Sequence, residues 1–204
     1  MTLIKKETAG YIIAEIVSWT FFPPLVGTVF FIFLIFWYAN DLNQGLRWMV
    51  TVSPFLIFIP LLFFAISYKL KWISDIDLSH REERPTFLAV FVVSLAVASA
   101  ILYFLNVPEK FFVYAFSGFI MTAVASLITL YWKISFHTAV ATSVVTAIVI
   151  LGGEEFWPLY FLIPLIGWAR VVLAKHTVKQ VIGGALVAFF VTVLVFYLFG
   201  YRFM

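Results

Sequence analysis

The residues of this chain that could do chemistry are two histidines, two arginines and a serine: His137, His176, Arg84, Arg170 and Ser135. A histidine pair can supply a nucleophile and a general acid, and arginine forks match phosphate oxygens. A hydroxyl adds one more donor. This inventory suits phosphoryl transfer through a covalent intermediate, with cations holding the oxygens of the transferred group. The densest concentration is Arg170, Lys175, His176, Lys179 and Gln180, set between two apolar runs. His176 and Gln180 are four apart, so on a helix they share a face. Within an oily chain, such a cluster either meets water or binds an anion.

The elements that must position these residues are membrane spans. Of 204 residues, 64% are hydrophobic and 11% charged, with a mean hydropathy of +1.10. A soluble domain is about 45–50% apolar and about 25% charged. The reading is an all-α integral membrane protein, one polytopic domain over 1–204 with no room for a soluble domain. No cysteine is present, which excludes disulfides, thiolate chemistry and cysteine-bound metals. The net charge of +3 speaks to membrane topology, and no nucleic-acid partner is expected.

Residues 1–22 read as an N-terminal interfacial segment. Lys5 and Lys6 precede an apolar run as in a signal peptide, but no small-x-small site follows, so the segment is expected to be retained. Pro23 and Pro24 suit the first turn of a helix continuing to Tyr38. Further spans are expected over 46–68, kinked at Pro54 and Pro60, then 87–105, 111–132, 138–151, 156–172 and 178–199. The expectation is a bundle of six to seven transmembrane helices.

Three polar stretches, 69–86, 133–137 and 170–180, are each separated by two such spans. An even number of crossings returns a chain to one side, so all three face the same compartment. That side carries Lys5, Lys6, Lys69, Lys71, Arg81, Arg84, Lys133, Arg170, Lys175 and Lys179, against Arg47, Lys110 and Arg202 opposite. Cations favour the cytoplasm, so a cytoplasmic site is expected.

Within the first stretch, Arg84 precedes Pro85 and is expected to be extended at the mouth of a span. Ser135 and His137 stand where a helix begins, and helix N-termini bind anions. Blander readings apply to several neighbours. His80 reads as an interfacial polar residue, Lys69 and Lys71 as interfacial anchors, and Arg81 and Lys179 as possible loop cations. Asp75, Asp77, Glu82 and Glu83 suit loop salt bridges better than a metal. The Gly183-Gly184 pair suits close helix packing, with Gly184 letting a neighbour approach the site.

At the level of motifs, the chain resembles the type 2 phosphatidic acid phosphatase family of membrane lipid phosphatases, which shares its site with vanadium haloperoxidases. The family pattern is Lys-x6-Arg-Pro, Pro-Ser-Gly-His and Ser-Arg-x5-His-x3-Asp. Here stand Asp77-x6-Arg84-Pro85, Ile134-Ser135-Phe136-His137 and Ala169-Arg170-x5-His176-x3-Gln180, in the same order and spacing. The resemblance covers about 69–190 and implies a haloperoxidase-like helical core. It implies that His176 forms a phosphohistidine, that His137 protonates the leaving oxygen, and that Arg84, Arg170 and Ser135 hold the phosphate. No cofactor or metal is implied.

The departures are Asp77 for a lysine, Phe136 for a glycine and Gln180 for the aspartate that orients the nucleophile. Arg81 or Lys175 is expected to supply the missing charge, and Asp77 is a candidate carboxylate partner for His176. The function this implies is hydrolysis of a lipid phosphate or diphosphate, of the isoprenoid diphosphate or phosphatidate class. The alternative is an inactive relative that binds or moves phospholipids or serves as a partner subunit. A metal-dependent phosphotransferase using the loop carboxylates is the third reading.

Overall fold

The computed structural model describes residues 8–76, 78 and 80–203, and among them there is helix and no strand. Asp77 lies outside the described residues, as do Lys5 and Lys6. Nine α-helices are found among the described residues: α1 Ala9–Thr20, α2 Pro23–Tyr38, α3 Leu42–Ser53, α4 Ile59–Lys69, α5 Arg84–Phe104, α6 Glu109–Thr129, α7 Phe136–Gly152, α8 Leu162–Val172 and α9 Val178–Leu198.

Local chemistry explains most boundaries. Thr8 caps α1 and Asp41 caps α3, each accepting the backbone amide of the third residue of its helix. Pro23 and Pro24 open α2, where a missing N–H costs nothing. Pro54 begins a π-helical turn, Pro54–Phe58, that joins α3 to α4. A proline that cannot donate produces such a break inside a span.

Among the described residues, four helical stretches are long and apolar enough to cross a membrane: Leu42–Lys69, Arg81–Phe104, α6 and α9. A fifth arises if α1 and α2, bent by 42° at their junction, form one broken span. This corrects the expected six to seven. The expected crossing over 138–151 is α7, an apolar helix of only 17 residues. The one expected over 156–172 is divided between a 3₁₀ turn, Glu154–Phe161, and the short α8. Hydropathy treats all apolar runs alike, whereas only uninterrupted helix has the length to cross.

α7 is the central element, packed by α2, α6, α8, α9 and the 154–161 turn. Its residues are mostly small or β-branched, and most are buried. Small side chains let neighbouring helices approach closely where solvent exclusion alone would not draw them together. Aromatic packing fills the end of the bundle away from the polar stretches, around Phe111, Phe31, Trp48 and Phe196. The polar stretches gather at the other end.

Candidate functional site

The gap of five residues between Arg170 and His176 has a local geometric meaning. α8 ends at Val172, and Ala174 takes a left-handed conformation, φ 54°. The chain then reverses, and the amides of Lys175 and His176 both donate to the Arg170 carbonyl, at 3.1 and 3.2 Å. Glycine usually occupies this helix-ending position. Alanine there carries a cost of about 1–2 kcal/mol. The turn places His176 directly beside the end of α8.

α9 then begins with a capping box. Gln180 N–H donates to Thr177 Oγ1 at 3.3 Å, and Thr177 N–H donates to Gln180 Oε1 at 3.1 Å. The same Oε1 lies 3.3 Å from His176 Nδ1. An atom that accepts from a backbone amide is an oxygen, so Nδ1 must be the donor. The proton is therefore on Nδ1, and Nε2 carries the lone pair. Burial drives the His176 pKa down to about 2, reinforced by the charges of Lys133, Arg170 and Arg84, while the Gln180 bond opposes them weakly. His176 is a neutral imidazole at ordinary pH, with its nucleophilic nitrogen defined.

The second stretch is fastened to the third. Ser135 N–H donates to the Gln180 carbonyl at 3.1 Å, and Thr138 Oγ1 donates to the Val181 carbonyl at 2.9 Å. Ser135 caps α7 through its hydroxyl. Gly184 makes this approach possible. A Cβ there would collide with the Ser135 carbonyl and stand 2.9 Å from Thr138 Oγ1. His137, in the first turn of α7, is buried with its ring 6.1 Å from that of Phe22.

The first stretch joins through Arg84, whose Nε donates to the Leu78 carbonyl at 2.8 Å and Nη1 to the Ile134 carbonyl at 3.1 Å. Arg84 is not extended, as its proline neighbour led us to expect. It is helical, φ −74° and ψ −38°, as the first residue of α5. Pro85 is tolerated in that first turn, and two hydrogen bonds anchor the guanidinium. Phe136, at the family's glycine position, lies with its ring 6.0 Å from the Arg84 guanidinium carbon.

The other candidates divide. Lys175 borders the site. Arg81 is turned to the surface, donating to the Tyr131 carbonyl at 2.8 Å and pairing with Glu82 at 3.6 Å. Glu83 accepts from Ser74 through both its amide and hydroxyl. Among the described residues no group of three or more metal-ligating side chains converges.

An open cleft of about 500 Å³ lies between the loops before α7 and before α9. Lys133, Lys175, His176 and Gln180 line it with the apolar Val171 and Val178. Arg84 and Arg170 do not line it; they are buried, 4% and 2% exposed, and their charges act on His176. The N-termini of α7 and α9 meet at the same end, joined by the Ser135–Gln180 bond, and their dipoles add positive potential. Comparison with family models, with characterised proteins and with solved structures gives no match.

Two neighbours of the site escape the sequence reading. Ser18 Oγ accepts from Arg170 Nη1 at 2.6 Å across 152 residues, a contact that leaves no local signature. Lys133 stands within the second polar stretch, two residues before Ser135. Its Nζ donates to the Lys175 carbonyl at 3.0 Å. The capping box, by contrast, is readable as Thr-x-x-Gln before an apolar run.

Proposed function

We propose that this chain is a membrane phosphatase acting on a lipid phosphate or diphosphate, with His176 as the nucleophile. The observation that carries the reading is a buried, neutral histidine with its Nδ1 proton fixed, surrounded by Arg84, Lys133 and Arg170. Positive charges beside the imidazole favour the approach of a phosphate dianion, and the imidazole is in the form that attacks phosphorus.

In the proposed reaction, His176 Nε2 bonds to phosphorus as the bond to the lipid oxygen breaks. His137 gives its proton to that oxygen. Water then attacks the phosphohistidine and returns a proton to His137, and phosphate leaves. Arg84, Arg170 and Ser135 hold the phosphate oxygens, Lys175 adds charge at the cleft edge, and the amides at the start of α7 complete the anion site. The resemblance of the three motifs to those of the type 2 phosphatidic acid phosphatases supports this reading, and the long apolar helices are compatible with a lipid substrate. We place the site on the cytoplasmic face of a multi-pass chain, from the eight-to-three excess of cations on that side among the described residues. This orientation suits isoprenoid diphosphates or phosphatidate made inside the cell.

The experiment is phosphate release by the detergent-solubilised full chain from phosphatidate and isoprenoid mono- and diphosphates, with a chelator present. Release is expected for at least one substrate and is expected to vanish in His176→Ala. Turnover that survives His176→Ala rules out the phosphohistidine route, and turnover that requires magnesium points to the loop carboxylates instead.

A second reading, an inactive relative that binds phospholipid, is favoured by one observation. Gln180 occupies the orienting position without a charge, and its oxygen already serves the cap of α9. Lipid-phosphate binding without release identifies that case.

A further inference from the structure

We propose that Ser18, on the N-terminal helix α1, is a positioning residue of the phosphate site, holding the Arg170 guanidinium in place for the anion. The inference rests on the phosphate-site reading above and adds to it an element, α1, that lies outside all three motifs.

α1 packs against α8, the helix that carries Arg170. Ala14 and Ser18 are four apart and so share a helical face, and both are buried. Ile12, Ile13, Ile16 and Trp19 are exposed instead. Ser18 brings a hydroxyl to the buried face, where its Oγ accepts from Arg170 Nη1 at 2.6 Å. Arginine has many rotamers, and fixing one beforehand spares that ordering cost when an anion binds. The main chain of Arg170 is already tied to the proposed nucleophile, since its carbonyl accepts the amides of Lys175 and His176. Ser18 thus holds the side chain of a residue whose backbone holds His176 and whose charge is felt there. A hydroxyl can accept from a guanidinium without cancelling its charge, which a carboxylate in the same place would do.

The competing role for Ser18 is a mechanical tie that docks α1 on α8, and the test separates the two. Equilibrium binding of radiolabelled inorganic phosphate and thermal melting are measured on the detergent-solubilised full chain, Ser18→Ala, Ser18→Thr and Ser18→Asp. Alanine removes the acceptor and threonine keeps it. Aspartate keeps an acceptor for Arg170 but competes with phosphate for its charge. Ser18→Ala is expected to bind phosphate about tenfold more weakly, and Ser18→Thr within about threefold of the parent. Ser18→Asp is expected to bind at least about tenfold more weakly and yet to melt no lower than Ser18→Ala, because an ion pair still joins α1 to α8. A mechanical tie alone would make affinity follow melting temperature through the series. The alanine and threonine pair decides the matter even if Ser18→Asp fails to fold.

Undiminished binding by Ser18→Ala or Ser18→Asp, equal losses in Ser18→Ala and Ser18→Thr, or affinities that track the melting temperatures overturn the assignment while leaving the phosphate site intact. A parent chain that binds no phosphate overturns the site reading, and the role of Ser18 with it.

Discussion

Gln180 Oε1 accepts from the Thr177 amide at 3.1 Å and from His176 Nδ1 at 3.3 Å. One oxygen thus starts α9 and fixes the proton on the imidazole. Glutamate at this position keeps the reach and the capping role and adds the charge that a phosphohistidine cation lacks. Loss of the equivalent charge in a serine-protease triad costs about 10⁴ in rate. Gln180→Glu is therefore expected to raise kcat for phosphate release at least about tenfold. An unchanged kcat would assign Gln180 to the cap alone.

His176 also sets an acid limit to stability. Its folded pKa is about 2, for the reasons of burial and facing cations given above. In the unfolded chain it titrates near about 6.5. Between these values the unfolded chain takes up a proton that the folded chain does not. The stability of the neutral site is fully present above about pH 6.5 and drains as pH falls toward about 2. Thermal melts of His176→Asn in detergent are expected to lose stability less steeply than the parent between about pH 6 and about pH 4.

Gly184 tests the approach of α9 to α7. Its Cβ would strike the backbone of Ser135, which cannot swing aside as a flexible side chain would. Gly184→Ala is expected to cost about 1–3 kcal/mol through overpacking. Gly118, within α6, has open space at its Cβ position, and Gly118→Ala is expected to be neutral or stabilising by up to about 1 kcal/mol. Paired melting curves check the contrast, and equal shifts would remove Gly184 from the packing account.

Ala174 carries strain that glycine would relieve. Its φ of 54° lies in the left-handed region, and its side chain is exposed. Ala174→Gly is expected to stabilise the chain by about 0.5–1 kcal/mol, the relief being partly offset by entropy in the unfolded chain. A melt that moves downward would show that the alanine methyl makes a contact worth more than the strain.

Much of the helix pattern was legible because its causes are local. Pro23 and Pro24 open a helix whatever surrounds them, Pro54 interrupts one, and a threonine three residues before a glutamine caps one. Counting pointed to convergence of the three polar stretches, but two of the crossings it used, over 138–151 and 156–172, are not among the helices long enough to cross. The structure joins them through Arg84 to Ile134, Ser135 to Gln180 and Lys133 to Lys175. The span count was not legible. Hydropathy does not distinguish α7, apolar because it is enclosed by other helices, from α9, whose Ile182, Leu186 and Phe190 face outward.

By itself, the sequence determined the membrane character, most helix starts and the spacing that brings His176 to Arg170, because each follows from composition or from bonds spanning a few residues. Only the tertiary structure decided that Lys133 faces His176, that Ser18 meets Arg170 and that Arg84 is helical before a proline. The contacts behind those outcomes reach as far as 152 positions along the chain, the longest joining Ser18 to Arg170. Packing and charge settle such contacts only once the helices have come together.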